Sequence, residues 1–319
     1  MTIDFDPTQK LFVEKYRPNK VADCILQERT KKEVLNIVKD GHIPNLLFYG
    51  PAGCGKTTLA RALCRETGVD WILINASNER GLDTIREKVA TFASTASLDG
   101  NTSKCVILDE ADRLTPVAMD ALKAEIERYS KSCSFIMTAN HPNRLIEPLR
   151  SRLVGIDFQP KKDEFEVMQA EFFMRACQIL DNEGITYDEM VLIQVIQRFF
   201  PDNRRVLGEL QQYARGSKDI NEGILMQIEG ASTSAMIKAV VDKKFKDVVQ
   251  WAADNANNDT TTLYEEVYKQ LKEFVVPTSI ADAIMILEDY QRYDSIVPSK
   301  ELHLSAMATE LMTTLEFKV

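Results

Sequence analysis

Short apolar runs alternate with amphipathic segments through the first half of the chain. Apolar runs of a few residues are typical of buried strands, whereas apolar residues repeated every three or four positions indicate helices. Each run is followed by a helical segment, and this alternation predicts parallel βαβ units with helices on both faces of one sheet. The predicted strands are Leu46–Tyr49, Trp71–Asn75, Cys105–Leu108, Ser134–Thr138 and Val154–Phe158.

The second half of the chain is predicted to be helical throughout. Strand signals stop near residue 161, glycine and proline residues separate the helical segments, and residues 220–230 are expected to form a hinge. The predicted helices are 161–182, 187–200 and 204–215 before this hinge, and 232–254, 260–274, 279–293 and 299–316 after it. The sequence therefore predicts three domains: an α/β domain over 1–160, a small helical domain over 161–230 and a second helical domain over 231–319.

A glycine-rich motif connects the first predicted strand to the next helix. Gly50, Gly55, Lys56 and Thr57 fit the pattern G-x-x-x-x-G-K-[ST], in which loop N–H groups and a helix N-terminus face the phosphates of a nucleotide. Glycine lets the backbone close around an anion. The lysine of this pattern reaches the β- and γ-phosphates, and the threonine hydroxyl contributes to an Mg²⁺ shell. A chance glycine turn is the alternative, but it does not account for the acidic strand end that follows.

Two acidic residues end the third predicted strand. Asp109 suits a carboxylate ligand of Mg²⁺, and Glu110 suits the group that orients and deprotonates an attacking water. A pair of solvated strand-end acids is the structural alternative. The letters Asp-Glu-Ala-Asp also match the DEAD-box RNA helicases, but those enzymes need a second RecA-like domain, and the chain after Phe158 is helical. The pattern therefore favours a nucleoside triphosphatase.

Three further polar residues are candidates for the same crevice, because ligands bind at the carboxyl ends of parallel strands. Asn140 follows the fourth predicted strand and suits a contact with the γ-phosphate or the attacking water, with turn chemistry as the alternative. Arg152 and Arg204 are candidates for neutralising charge in the transition state of phosphoryl transfer. An isolated arginine is more often a solvated surface residue, so chemistry alone leaves both interpretations open.

Composition and charge indicate a globular protein whose DNA contacts, if any, lie in the first half of the chain. With 319 residues, 45% hydrophobic and 27% charged, the chain is typical of a soluble globular protein. Residues 1–160 hold 22 Lys and Arg against 21 Asp and Glu, whereas residues 161–319 hold 17 against 27, so DNA contacts are expected in the first half. We find no signal peptide and no apolar run long enough to span a membrane. The six scattered cysteines favour free buried thiols and a cytosolic location.

Seven stretches of the chain resemble the AAA+ ATPase subunits of sliding-clamp loaders of the replication factor C type. They occur in the family's order: Glu14–Pro18, Gly50–Thr58, Asn75–Gly81, Asp109–Asp112, Thr138–Asn140, Pro148–Arg152 and Asp202–Arg205. The Ser-Arg pair after a Pro-Leu helix end is the most discriminating match. Residues 92–100 and 301–304 are similar to the T-even bacteriophage branch of this family. The chain departs from the family at Leu153, where cysteine is usual, and at Asn78, where aspartate is usual.

The resemblance implies a role for each residue of the phosphate site. It makes Lys56 and Thr57 the phosphate and Mg²⁺ ligands, Asp109 the metal carboxylate and Glu110 the catalytic base. Contacts with ATP are implied for Val13, Glu14, Lys15, Tyr16, Arg17, Ile25, Gly53, Cys54, Gly55, Lys56, Thr57, Thr58 and Arg204.

The resemblance also assigns three residues that respond to the γ-phosphate. It makes Asn140 the first sensor and Arg204 the second, the latter acting in cis from a helical lid. It makes Arg152 a finger that enters the site of the neighbouring subunit. The implied fold is a parallel-sheet P-loop AAA+ domain followed by a small helical lid domain and an all-α C-terminal collar domain.

The machine implied by the resemblance is a five-subunit spiral. It would contain further copies of the chain and a non-ATPase subunit, with ATP and Mg²⁺ at the subunit interfaces. ATP binding would open the sliding clamp for loading onto primer-template DNA, and hydrolysis would release clamp and DNA. DNA contacts are implied for Arg80, Arg86 and Lys88, for which a solvated basic face is the alternative.

Two other functions stay open. A structural loader subunit that binds ATP without turnover is opposed by the intact Lys56, Glu110 and Arg152. Another AAA+ motor, such as a branch-migration helicase or a helicase loader, would hydrolyse ATP without dependence on a clamp. The favoured prediction is a DNA-dependent, clamp-stimulated ATP hydrolase in the cytoplasm, that of the host if the protein is viral.

Overall fold

The computed structural model describes residues 5–6, 8–77, 82–95, 103–230, 233–256, 260, 263–294 and 296–318. The chain divides into two compact units, Met1–Ile220 and Asn221–Val319. Within the described ranges, no helix combines the length and the apolar character needed to cross a bilayer.

A five-stranded parallel sheet forms the centre of the first unit. Its strands are β1 (Leu46–Tyr49), β2 (Asp70–Asn75), β3 (Lys104–Asp109), β4 (Cys133–Ala139) and β5 (Val154–Asp157). They lie in the order β2-β3-β4-β1-β5, so β1 is a central strand between β4 and β5. All five predicted strands are confirmed within one or two residues; β1 to β4 are mainly apolar runs, whereas β5 reads Val-Gly-Ile-Asp and buries only Ile156.

Helices cover both faces of this sheet. They are α1 (Phe12–Lys15), α2 (Glu28–Asp40), α3 (Lys56–Thr67), α4 (Leu82–Ser94), α5 (Pro116–Arg128) and α6 (Glu147–Arg150). Alternate residues of β1 enter different cores: Leu46 and Phe48 pack with residues of α2 and α3, and Leu47 packs with residues of α4 and α5. Helix α5 begins with a proline at its first position, and the Thr115 hydroxyl caps it by accepting a hydrogen bond from the Ala118 N–H at 3.3 Å.

Three helices complete the first unit: α7 (Lys162–Glu183), α8 (Glu189–Phe199) and α9 (Asn203–Ser217). The prediction that strands end near residue 161 is wrong. A two-stranded parallel pair, β6 (Thr186–Tyr187) and β7 (Asp219–Ile220), joins the ends of this helical layer. Strands of two residues are too short to produce an alternating pattern in the sequence.

The second unit is helical. Its elements are α10 (Glu222–Gly230), α11 (Thr233–Val241), α12 (Phe245–Asn255), α13 (Leu263–Phe274), α14 (Ile280–Tyr293) and α15 (Lys300–Thr314). The segment predicted as a hinge thus contains α10. The single helix predicted over 232–254 is wrong, because the chain turns between α11 and α12, where Lys243 adopts a left-handed conformation with φ of 57°. Neither glycine nor proline marks this turn in the sequence.

The sheet places the predicted chemistry at one edge. β1 ends at the glycine-rich loop, β3 ends at Asp109 and β4 ends just before Asn140. Because β1, β4 and β3 are adjacent and parallel, their carboxyl ends open into one crevice.

Candidate active site

The glycine-rich loop lies between β1 and α3. Gly50, Gly53 and Gly55 have φ values of 141°, 71° and 95°, in the region where side chains other than glycine are strained. A Cβ atom at Gly53 would lie 1.7 Å from Oδ1 of Asp202, the residue before α9. Glycine at this position therefore allows the loop to approach the helical layer closely.

The ammonium group of Lys56 lies at the centre of the loop. Its Nζ donates to the carbonyl oxygens of Gly50 at 2.8 Å and Pro51 at 2.6 Å, and to Oδ1 of Asn140 at 2.9 Å. Lys56 is 7% exposed, and this burial lowers the pKa of its ammonium group. The lysine thus connects the glycine-rich loop to the residue that follows β4.

Two hydroxyl groups hold the carboxylate at the end of β3. Thr57 and Thr138 each donate to Oδ1 of Asp109 at 2.6 Å. Thr138 also accepts a hydrogen bond from the Glu110 N–H at 3.0 Å. Thr138 therefore fixes the side chain of one acidic residue and the backbone of the next, a role that our sequence analysis missed.

Glu110 has a left-handed backbone, with φ of 56° and ψ of 42°. Its Oε2 accepts a hydrogen bond from the Ser77 hydroxyl and lies 3.3 Å from Nε of Arg113. The side chain is 34% exposed. The carboxylate is therefore held at the rim of the crevice by partners at the end of β2 and in the turn after β3.

A buried carboxylate orients the backbone of Asn140. Oδ2 of Asp112 accepts hydrogen bonds from the N–H groups of Asn140 at 3.2 Å and His141 at 3.0 Å. Oδ1 of Asp112 is buried and has no hydrogen-bond partner within the described residues. An acidic residue two positions after Glu110 is the only sign of this role in the sequence.

Two arginines from the helical layer line the crevice. Arg204 is the second residue of α9, which begins with Asp202 accepting a hydrogen bond from the Arg205 N–H at 3.0 Å. Arg175 of α7 donates to the carbonyl oxygen of Tyr16 at 2.8 Å, and its burial lowers the pKa of its guanidinium. Arg175 was not predicted, because packing alone brings α7 to the N-terminal segment.

Most of the predicted nucleotide-site residues line one crevice, which has a volume of about 1060 Å³ with its open mouth included. They are Val13, Tyr16, Arg17, Ile25, Gly53, Cys54, Gly55, Lys56, Thr57, Thr58, Asp109, Glu110, Asn140 and Arg204. The structure places Glu14 and Lys15 outside this lining. Glu14 pairs with Arg17, and Nζ of Lys15 donates to Oε1 of Glu183 at 2.6 Å. These two side chains leave the one-turn helix α1 in other directions.

Arg152 is not among the residues that line the crevice. It follows α6, its Nε donates to Oε1 of Glu127 at 2.8 Å, and its side chain is 34% exposed. The guanidinium is thus held at the surface of the chain.

The three predicted DNA contacts differ in their surroundings. Nε of Arg86 lies 3.1 Å from Oε1 of the buried Glu125, while about half of the Arg86 side chain is exposed. Lys88 is exposed on the same helix, α4. Arg80 lies outside the described residues.

The oxygen atoms at the end of β3 suit a magnesium ion. Mg²⁺ prefers hard oxygen ligands and is held by one or two protein groups together with phosphates. The Thr57 hydroxyl, at the start of α3, donates a hydrogen bond to the Asp109 carboxylate, and both residues line the crevice. The residues present therefore fit a nucleotide with its metal ion.

Comparisons with known proteins agree with this geometry. Residues 46–159 match the ATPase family associated with various cellular activities (AAA), and residues 163–226 match the sliding-clamp-loader large subunit, AAA+ ATPase lid domain. The sliding-clamp-loader large subunit of Enterobacteria phage T4 is 32% identical, covering 99% of this chain and 100% of that protein. Replication factor C small subunit 2 of Pyrobaculum arsenaticum is 36% identical over 75% of this chain and 74% of its own length.

A solved structure shares the fold. A variant of RuvB from Thermotoga maritima superposes with a TM-score of 0.55 at 17% identity, covering 82% of this chain and 93% of that one. The fold is thus a parallel-sheet AAA+ domain followed by a lid domain and C-terminal helices. With a relative of over 30% identity matched along its whole length, the chain belongs to the sliding-clamp-loader large-subunit family of AAA+ ATPases.

Proposed function

We propose that this chain binds ATP with Mg²⁺ in the crevice and hydrolyses it to drive the loading of a sliding clamp onto primer-template DNA. The observation that carries the proposal is the convergence of Lys56, Asp109 and Asn140 at the carboxyl ends of three adjacent strands. Glu110 and Arg204 line the same crevice from two further elements.

The phosphate groups would be bound by the glycine-rich loop and Lys56. The ammonium group lies in the loop, where it donates to the carbonyl oxygens of Gly50 and Pro51 and to Oδ1 of Asn140, and a bound phosphate would replace at least one of these acceptors. Thr57 and Asp109 would hold the metal ion, which when bound supplies charge neutralisation at the β- and γ-phosphates. Val13, Tyr16 and Ile25 offer apolar lining for the adenine.

Glu110 is proposed as the base that orients and deprotonates the attacking water. Its partial exposure leaves the carboxylate accessible, and its backbone is fixed by Thr138. Asn140, held by Asp112, would present its amide to the γ-phosphate or the water, and Arg204 would add positive charge from the lid.

Arg152 is proposed to act in the site of a neighbouring subunit. Its side chain is at the surface and does not line the crevice of its own chain, which suits a charge supplied in trans. ATP would then lie at subunit interfaces, and an isolated subunit would lack part of its catalytic charge.

The assembly is proposed to contain five subunits, including a non-ATPase partner, with the second unit as the collar that assembles the ring. The names of the relatives from phage T4 and Pyrobaculum, a large subunit and a small subunit, support an assembly of more than one chain. Arg80, Arg86 and Lys88 are proposed to contact DNA phosphates, and the half-exposed side chain of Arg86 on α4 supports this proposal.

A mixing experiment tests the proposal. Arg152→Ala subunits are combined with Glu110→Gln subunits, and ATP hydrolysis is measured with and without a clamp and primer-template DNA. Each variant alone should be nearly inactive, since an arginine finger contributes about 10³–10⁵ in rate. Mixed assemblies should recover activity at interfaces that pair an intact Arg152 with an intact Glu110. If no mixing ratio restores ATP hydrolysis, in assemblies shown to contain both variants, Arg152 does not act across an interface.

Two further measurements test the phosphate site and the dependence on the clamp separately. Lys56→Ala should abolish ATP binding, because no other cation of the loop reaches its interior; near-normal ATPase activity would refute the phosphate site. ATPase activity that does not depend on the clamp would favour another AAA+ motor over a clamp loader.

A further inference from the structure

The segment formed by residues 10–17, here called the arm, carries three of the residues that line the crevice. Val13, Tyr16 and Arg17 face the crevice from this segment. Only one turn of helix, α1, gives the arm internal structure. A segment this short cannot hold its own conformation in water, so its position must come from tertiary contacts.

Those contacts come from the lid helices. Gln211 of α9 accepts a hydrogen bond from the Phe12 N–H at 3.0 Å and donates to the Lys10 carbonyl at 2.7 Å. Arg175 of α7 donates to the Tyr16 carbonyl at 2.8 Å. The backbone of the arm is therefore bound at three points by two helices of the lid.

One carboxylate binds both polar side chains at the end of the arm. Oε1 of Glu183, the last residue of α7, accepts from Nζ of Lys15 at 2.6 Å and from the Tyr16 hydroxyl at 2.7 Å. The Glu183 and Lys15 side chains are each only 20% exposed, so the ion pair is partly shielded from solvent. Burial raises the pKa of Glu183, but the hydrogen bonds from Lys15 and Tyr16 outweigh it and leave the pKa below its ordinary value.

The last residue of the arm is attached to the helix that follows the glycine-rich loop. Nη1 of Arg17 donates to the Thr58 hydroxyl at 2.9 Å, and Thr58 is the third residue of α3. The arm therefore bridges the lid and the glycine-rich loop, and it passes along the apolar lining that includes Ile25 and Phe172.

We propose that Glu183 is a positioning residue for the base of the nucleotide. By holding Lys15 and Tyr16 it fixes the arm against the lid, so that the apolar part of the crevice closes around the base when the lid approaches the phosphates. The inference rests on the proposed ATP site. It concerns only that part of the affinity that depends on the base.

The test compares two ligands that differ in the base. Binding of ATP and of inorganic tripolyphosphate is measured by competition against a fluorescent ATP analogue for the parent chain and for Glu183→Ala. The variant should bind ATP about tenfold more weakly, because charge-assisted hydrogen bonds to the arm are lost. Its affinity for tripolyphosphate should match that of the parent. Glu183→Gln, which keeps an acceptor for the Tyr16 hydroxyl, should fall between the two.

Two further variants distinguish the loss of the contacts to Glu183 from a general effect of changing α7. Glu171→Ala removes an exposed glutamate from the same helix and should leave both affinities unchanged. If Glu183→Ala does not fold, Tyr16→Phe removes a single donor to the same carboxylate and should show the same selective loss.

Two outcomes would overturn the inference: equal weakening of ATP and tripolyphosphate, which indicates a general structural role, or no weakening of either. Failure of the parent chain to bind either ligand would instead refute the proposed ATP site itself.

Discussion

Two buried side chains, one with a hydroxyl group and one with a carboxylate, orient residues that line the crevice. Thr138 is 2% exposed and contacts both Asp109 and Glu110, while Asp112 is 8% exposed and holds the backbone of Asn140. Neither supporting residue is recognisable from residue type alone. Each acts through side-chain direction, which depends on how β3 and β4 are paired.

The hydroxyl of Thr138 is predicted to matter more for turnover than for binding. Thr138→Val leaves the Glu110 N–H without its acceptor and removes one of two donors to Asp109. Loss of such a contact costs about 1–3 kcal/mol, which corresponds to a decrease of about 5- to 150-fold if it is expressed in the rate. ATPase activity and ATP affinity should be measured in parallel. Thr138→Ser, which retains the hydroxyl, should keep most of the activity, and an equally impaired serine variant would contradict this account.

Among the site residues, those in the loop and at strand ends could be predicted from sequence, because motif spacing fixes them. Lys56, Asp109 and Asn140 come together as expected. Glu14 and Lys15 could not be placed, since the direction of side chains on a one-turn helix depends on its partners. Arg175 could not be found, because no motif marks it and only the packing of α7 brings it to the crevice.

At the scale of elements, the strands of four or more residues could be predicted, whereas two-residue strands and a turn without glycine or proline could not. The five strands of the main sheet and the proline-led start of α5 follow directly from local chemistry. The pair β6 and β7 and the turn between α11 and α12 depend on contacts with distant residues. Lys243 adopts a conformation there that its residue type does not signal.

The contact between the glycine-rich loop and α9 leads to a prediction with a matched pair of glycines. Gly53 and Gly41 have similar φ values of 71° and 65°, but only a Cβ atom at Gly53 meets another residue. Gly41→Ala should lower the free energy of unfolding by about 1–2 kcal/mol through backbone strain. Gly53→Ala should lower it further and should weaken ATP binding. Urea unfolding and ATP titration of both variants give the comparison, and equal behaviour of the two would contradict the predicted clash with Asp202.

The second unit contains a carboxylate whose ionisation should stabilise it. Burial raises the pKa of Asp294, but hydrogen bonds from Lys300, Thr260 and Tyr264 outweigh burial and lower the pKa below 3.8. A lowered pKa in the folded state means that stability is present above pH 3.8 and is lost as the pH falls through the lowered value.

We therefore expect Asp294→Asn to reduce the acid dependence of unfolding in this unit. Trp251 is buried in the second unit and can report on it once Trp71 is replaced by phenylalanine. Urea unfolding between pH 3 and pH 7, followed by fluorescence, should show a smaller change for Asp294→Asn than for the exposed control Asp282→Asn. Identical pH profiles would show that the carboxylate contributes little.

At the scale of the whole molecule, the surface position of Arg152 predicts that activity depends on assembly. ATP hydrolysis per subunit should rise with protein concentration as neighbours supply the missing guanidinium. Arg152→Ala should remove this rise, while Arg144→Ala, an exposed arginine nearby in the chain, should preserve it. Specific activity that is independent of concentration in the parent, down to conditions where it is monomeric, would indicate a self-contained site.

Because most of the cysteines are buried, the rate at which a thiol reagent labels each of them reports whether the crevice has opened or the chain has unfolded. Five of the six thiols are buried and only Cys177 is partly exposed. Burial raises the pKa of Cys24 to about 12 and of Cys133 to about 11, so few thiolates are present at neutral pH. Maleimide should therefore label Cys177 first, and labelling of Cys54 in the glycine-rich loop should be slowed by a bound nucleotide. Reaction at Cys105, within the sheet, would require unfolding, so labelling rates in the natural sequence can distinguish opening of the crevice from loss of the fold.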